Sequence, residues 1–512
     1  MQLRRLAPGL VLPLCFLLAA VAEAVPPAFV APPDDLSSLT GDGWRALVEP
    51  DGSFVFQSGR RYVADVGLRF TSRPKNEVTM QNYDGEAEPG FPALDGTGGL
   101  LFVGGVKEKE SKRAVHLRQT LTPLDAGLAA RYGVTVDEAV PLNRLSMWIT
   151  LPIQYHMGSR VELTQETPDT VLEAFDVDLP AELDRTKPIA EGIGQTLVVS
   201  DAEGPVLTFR TLEPMRCVVE DCRQWETYYY VIRFEAPMVG GQLAPGQTLE
   251  MGLDVAVRPT QDAGPPARTE PLPELTADRS MVQLEDDETT CGDWETTYGS
   301  EAYVLWGMTG AHLCGGAFWP LPVRAYTGDP DQRIARWMSK LRELHDRRAL
   351  LCPKYRDRRP SIIDDTGESR PLGGGPDLLV DFSVPPGDHA LSLYWFEIDY
   401  PQYRDYAVEF SDRAGKRLLA TDARDFYNGV YKRFAVRGPQ ELTVRIRRSM
   451  SINATLSGLF LDPLAADWRD PACANPVAHL RERGIQQVEG QSPELARVYD
   501  LLRQRRDREA EA

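Results

Sequence analysis

The feature that most constrains this chain is its period of two. From Trp44 onward, short runs alternate apolar and polar residues, and each run is closed by Gly, Pro, Asp or Asn. Trp44-Arg45-Ala46-Leu47-Val48 and Ser53-Phe54-Val55-Phe56 flank the turn signal Glu49-Pro50-Asp51-Gly52. Leu145, Met147, Ile149 and Leu151 fall on one face of a run and Trp148 on the other. Leu442, Val444 and Ile446 alternate with Thr443, Arg445 and Arg447. Side chains spaced by two point to the same face of a strand, so such runs are half-buried strands, and many of them in series predict antiparallel sandwiches. With 512 residues there is room for two to four domains.

The expected fold class is mainly β, with two antiparallel β-sandwich domains. The first covers 25–257. From 258 to 290 the chain turns rich in Pro, Asp, Glu and Ala and loses its apolar period. This predicts a semi-stiff linker, with a buried extended strap as the alternative reading. The second sandwich spans 291–464. It carries one inserted helix, announced by Asp329 as N-cap, Pro330 in the first turn, and Ile334, Trp337, Met338, Leu341 and Leu344 on one face. Residues 375–400 read as a hairpin of two strands around Pro385-Pro386-Gly387-Asp388, and Gly438-Pro439 reads as another connector. Residues 465–512 are polar and are expected to form a helical tail.

The N-terminus has the three parts of a secretory signal peptide over residues 1–24: Arg4-Arg5, an apolar run from Leu10 to Ala22, and the small-x-small site Ala22-Glu23-Ala24. A secreted, periplasmic or cell-surface location is therefore expected. No transmembrane segment is expected after processing, because no later apolar stretch is long enough. The formal charge is −19, and loss of residues 1–24 removes one net positive charge. A balance this acidic, with no basic stripe, argues against nucleic acid as a partner. Six cysteines follow the leader: Cys217, Cys222, Cys291, Cys314, Cys352 and Cys473. An even number in an exported chain favours disulfides. One pairing of the fifteen that six cysteines allow is 217 with 222, 291 with 314, and 352 with 473. The spacings match no zinc signature.

Two stretches carry a resemblance to known families. GDWETTYGSEAYVLWG (292–307), GPDLLVDFSVPPGDHALSLYWFEIDYPQYRDYAVEF (375–410), GVYKRFAVRGP (429–439) and ATLSGLFLDPL (454–464) resemble the galactose-binding-like jelly roll of large secreted bacterial proteins. RQTLTPLDAGLAARYGVTVDEAVPLNRLSMWITLP (118–152) and LAPGQTLEMGLDVAV (243–257) are similar to the galactose-mutarotase-like supersandwich. Together the resemblance implies a supersandwich followed by a jelly roll, in a carbohydrate setting. It implies no particular reaction, since both folds host many functions.

No nucleophile elbow, metalloprotease motif or phosphate loop is present, and no catalytic residue is assigned. His156 stands alone after a strand, where a structural role is the simpler reading. A sugar site needs flat aromatics and planar polar groups. Trp294, Tyr298, Tyr400, Tyr403 and Arg404 supply both, and 400–404 is expected to be an exposed loop tip. Glu397 and Asp399 share a strand face and could hold a structural calcium ion, as jelly-roll modules often do. No other cofactor is expected. The expected function is non-catalytic carbohydrate or glycoconjugate binding, or a cell-surface scaffold. The alternatives are a carbohydrate-active enzyme, of glycosidase or lyase type, working in a cleft between the sandwiches, and a structural protein-interaction module.

Overall fold

The computed structural model describes residues 29, 37–164, 174–183, 188–201, 204–225, 227–238, 240–259, 273–308, 313–316, 323–329, 333–338, 346–355, 357–365, 376–398, 403–449 and 451–465. Strands dominate these residues. They form antiparallel sheets of 18, nine, three and two strands. The leader, the helical tail, Cys473, Asp399 and Tyr400 lie outside the described residues. No helix among those described is long and apolar enough to cross a membrane.

The 18-stranded sheet runs from Ser37–Gly41 to Leu249–Arg258 and folds onto itself around one core. The strand Val140–Pro152 shows how sequence becomes layer. Leu145, Met147, Ile149 and Leu151 are all fully buried. Each such side chain contributes about 1.5–3 kcal/mol by leaving water. This strand pairs with Arg61–Ser72 on one side and Tyr229–Glu235 on the other. Val206–Asp221 closes the sandwich by changing partners along its length. Val206–Thr211 pairs with Leu253–Arg258, and Arg216–Asp221 pairs with Tyr230–Glu235. The Glu49–Ser53 turn forms as expected: Gly52 sits at φ +83°, and its N–H donates to the Glu49 carbonyl at 2.9 Å.

The second sandwich is built on two very long strands, Leu378–Trp395 and Val430–Arg448, paired along almost their whole length. Here the structure corrects the hairpin expectation. Leu378 pairs with Ile446 and Trp395 with Val430, so the chain does not reverse at Pro385-Pro386-Gly387-Asp388. The register shifts between Val384 and Gly387, and the facing strand carries Gly438-Pro439 at the same level. Pro385 and Pro386 face Pro439 alone and offer no N–H to the ladder, so the first strand bulges there rather than turning. Gly438 is required there, since a Cβ would stand 1.8 Å from the Pro385 carbonyl oxygen. The core of this domain joins Leu391, Leu393, Phe434 and Val436 to Ile363 and Leu456 of the three-stranded sheet.

Three further expectations change. Ala335–Met338 is a strand paired with Ser361–Asp364, not a helix, and Trp337 and Met338 are half exposed. The edge offered by Ser361–Asp364 outweighs a local helical pattern. Met281–Gln283, inside the expected linker, adds to the strand Val430–Arg448, so the end of that segment is the buried strap. Cys217, Cys222, Cys291, Cys314 and Cys352 are thiols. Cys217 points into the core of the first sandwich and Cys222 into a cluster on the opposite face, so the two cannot meet.

Candidate functional site

Most of the residues expected to meet a ligand are interior. Trp294 is 3% exposed, donates its indole N–H to the Leu351 carbonyl at 2.8 Å, and packs on Tyr303 and Phe460. Tyr298 stacks on Tyr431 with ring centres 4.0 Å apart, and its hydroxyl donates to Asp287 at 2.7 Å. Arg404 is buried against Glu397 and Asn453; its N–H donates to Glu397 Oε1 at 3.1 Å and its Nε to Asn453 Oδ1 at 2.9 Å. Glu397, expected as a calcium ligand, is thus held by Arg404, and no group of three or more His, Cys, Asp or Glu among the described residues is placed to hold a metal ion.

Tyr403 departs furthest from expectation. It is 6% exposed and reaches into the first sandwich. Its hydroxyl donates to Asp65 Oδ2 at 2.8 Å, and its carbonyl accepts from Gln154 Nε2 at 3.1 Å. Its φ of +50° is unusual for a bulky residue, a conformation held by its surroundings. Tyr403, expected on an exposed tip, is a contact between the domains.

The polar groups that do gather around open space lie on the outer face of the first sandwich. They are the odd partners of the buried alternation. Asp65, Gly67 and Arg69 come from Arg61–Ser72; Ser146, Trp148 and Thr150 from Val140–Pro152; Tyr229, Val231, Arg233 and Glu235 from the next strand. Trp148 stands opposite Gly67 on one side and Arg233 on the other. Beside Gly67 and the indole lies a shallow hollow with a volume of about 10 Å³, room for one water. Leu68, Arg69, Met80, Asn82, Thr150 and Tyr229 complete its wall. The Arg69 guanidinium lies 3.8 Å from the Trp148 ring centre, a cation–π contact covering one indole face.

A charged row continues from this pocket. Glu235 Oε1 accepts from Arg144 and Arg233, both at 2.8 Å, and Arg216 grips the other Glu235 oxygen. Arg233 also pairs with Glu220, and Arg216 with Glu191 at 2.8 Å. Arg144 is held below the usual arginine range by burial and by neighbouring Arg233. On the same strand as Gly67, burial pushes the Asp65 carboxyl up to about 8, with Asp51 and Glu49 adding to the rise and the Tyr403 hydrogen bond opposing it. His156 lies on the core side; its Nε2 meets the Val63 carbonyl at 2.8 Å, and burial holds its ring down to about 4. It has the structural role expected of it.

Trp148 carried a signal in the sequence. A tryptophan in the outward register of a strand whose other outward residues are Arg, Ser and Thr has no core to fill. Arg69, Asn82, Thr150 and Tyr229 carried none, since only strand pairing brings them to the same pocket.

No protein-family model matches the chain, and a search of curated proteins finds none similar to it. Among solved structures, a galactose mutarotase-like protein from Lactobacillus casei is similar at 11% identity, covering 43% of this chain and 99% of that one, with a TM-score of 0.30. A galactose mutarotase-like protein from Clostridium acetobutylicum aligns at 10% identity over 46% of this chain and 98% of its own, with a TM-score of 0.29. A Paenibacillus xanthan lyase aligns at 8% identity over 87% of this chain and 53% of that one, with a TM-score of 0.25. Superpositions at these scores carry no argument about what the chain does.

Proposed function

We propose that this is an exported carbohydrate- or glycoconjugate-binding protein whose ligand rests on the shallow pocket beside Trp148. The observation that carries this reading is the composition of that pocket. A half-buried indole is set among a guanidinium, a carboxamide, a hydroxyl and a second aromatic ring. Sugars present apolar C–H faces and a dense fringe of hydroxyls, which need both kinds of surface at once. The hollow itself holds about 10 Å³, so the ligand would lay one sugar edge over the indole rather than sink into a cleft.

Binding is favoured over hydrolysis by the state of the nearby acids. Glycoside hydrolysis asks for two available carboxyl groups across a sugar. Glu220 and Glu235 are each committed to arginines, and Asp65 is covered by Tyr403. Export rests on the leader pattern in residues 1–24.

The test is a glycan array probed with the intact chain and with Trp148→Ala and Asn82→Ala. Loss of a captured glycan class in both variants supports the pocket. Capture that survives both substitutions unchanged removes it.

A further inference from the structure

The two sandwiches meet through an unusual set of bonds. Asp65 of the first accepts the Tyr403 hydroxyl of the second at 2.8 Å, and the Thr150 hydroxyl of its own sheet. Asp425 of the second accepts the Tyr62 N–H at 3.1 Å and the Tyr155 hydroxyl, both from the first. The Asn428 N–H donates to the Tyr62 hydroxyl at 3.2 Å. The apolar part of this contact sets Leu47, Val55, Tyr62, Cys222, Tyr229 and Val231 against Tyr403 and Tyr427, with Trp148 packed on it. Three side-chain atoms buried here have no hydrogen-bond partner among the described residues, namely Gln154 Oε1, Tyr427 Oη and Asn428 Oδ1. The contact is also tied by the buried Arg348–Glu49 pair and the Tyr62–Tyr427 ring contact, and a polar interface of this kind is sensitive to any unpaired charge placed in it.

We propose that this contact is a proton-operated latch: the sandwiches stay docked while Asp65 and Asp425 carry protons, and loosen when the two carboxyls ionise. The groups facing Asp65 make the charge costly. Asp51 and Glu49 approach from the preceding turn, and both are acidic. Arg348 is already engaged with Glu49 and Asp346. No lysine or arginine is paired with Asp65 among the described residues. Asp425 is less confined. Arg424 and Arg61 face it and oppose its rise, and burial still lifts it to about 6. Arg61 also lies 5.4 Å from the Tyr155 ring centre, and Glu288, paired with Arg60, faces Tyr62. His156, next to Tyr155, stays neutral above about 4 and adds no charge in the working range.

The sign follows from the direction of the shifts. A carboxyl raised in the docked state binds a proton there that it would release in water. Docking is therefore favoured at low pH and lost as pH rises, for Asp425 between about 4 and 6 and for Asp65 up to about 8. Thr150 both bonds Asp65 and lines the Trp148 pocket. Opening of the latch therefore alters that pocket.

Hydrogen exchange of the intact chain, corrected for intrinsic rates, tests this without any glycan and so independently of the proposed ligand. Amides of 153–156, 403–405 and 424–428 are expected to exchange at least about tenfold faster at pH 8.5 than at pH 5.5, since one linked proton changes an equilibrium up to about tenfold per pH unit. Strands of the two cores should not change. In Asp65→Asn/Asp425→Asn, which cannot ionise, the pH dependence should vanish. Equal protection at both pH values, or a pH dependence retained in the double variant, overturns the latch. If the double variant does not fold, Tyr403→Phe decides. It deletes a bond that lowers the Asp65 value, so the loosening midpoint must move to higher pH. A midpoint that stays in place overturns the proposal.

Discussion

Arg348 of the second sandwich reaches Glu49 of the first, with Nη1 3.2 Å from Oε1 and Nη2 3.4 Å from Oε2; the side chains are 1% and 3% exposed. The same guanidinium covers the Tyr427 ring at 4.6 Å and donates through Nε to Asp346 at 2.9 Å. Removing one partner of a buried pair leaves the other charge stranded, which costs about 3–5 kcal/mol. Arg348→Met is therefore expected to lower the urea midpoint strongly. Arg348→Met/Glu49→Leu should recover only part of the loss, because the Asp346 carboxylate, 8% exposed, still loses its guanidinium partner.

Two tryptophans separate binding from folding. Trp148→Ala should abolish glycan capture with little change in thermal midpoint, since its ring is partly exposed and Gly67 beside it leaves space. Trp294→Ala should destabilise the second sandwich by about 3–5 kcal/mol, the usual cost of emptying an aromatic core site. Its capture, measured well below the unfolding temperature, should be unchanged. Paired calorimetry and array data check both outcomes.

Asp365 offers a pH prediction away from the domain contact. It is fully buried beside Arg448, at 2.9 Å, and burial outweighs that partner, lifting the carboxyl to about 7. A raised carboxyl makes the folded state the better proton binder, so stability falls as pH rises from about 4 to about 7 and is flat above. The slope is at most about 1.4 kcal/mol per pH unit. Relative to the parent, Asp365→Asn should gain stability across that window and gain no more beyond it, as read from urea midpoints at stepped pH.

His156 works in the opposite direction. Its folded value is depressed to about 4, so the unfolded chain takes up a proton first and stability is lost as pH falls from about 6.5 to 4. Carbon-13 NMR of labelled histidine should show one ring that stays neutral to about pH 4. His156→Gln, which keeps a donor for the Val63 carbonyl, should remove that part of the acid lability.

The alternation of apolar residues determined the fold class, the strand faces and several turns without help. Leu145, Met147, Ile149 and Leu151 are buried, and Glu49–Ser53 reverses the chain, because these depend only on φ/ψ preferences and the two-residue period. Tertiary structure decided the rest. Pro385-Pro386-Gly387-Asp388 has the local chemistry of a turn, yet a facing strand that pairs on both sides of it makes it a bulge within one continuous strand. Ala335–Met338 carries a helical stripe, yet an open sheet edge takes it. Tyr403 and Trp294 have side chains equally suited to a sugar or a core, and only the packing of one domain on another, or of one ring on its neighbours, chooses between them. The same holds for Asp65: its carboxyl is ordinary in the sequence, and becomes unusual when residue 403 of the chain closes over it and takes away the water.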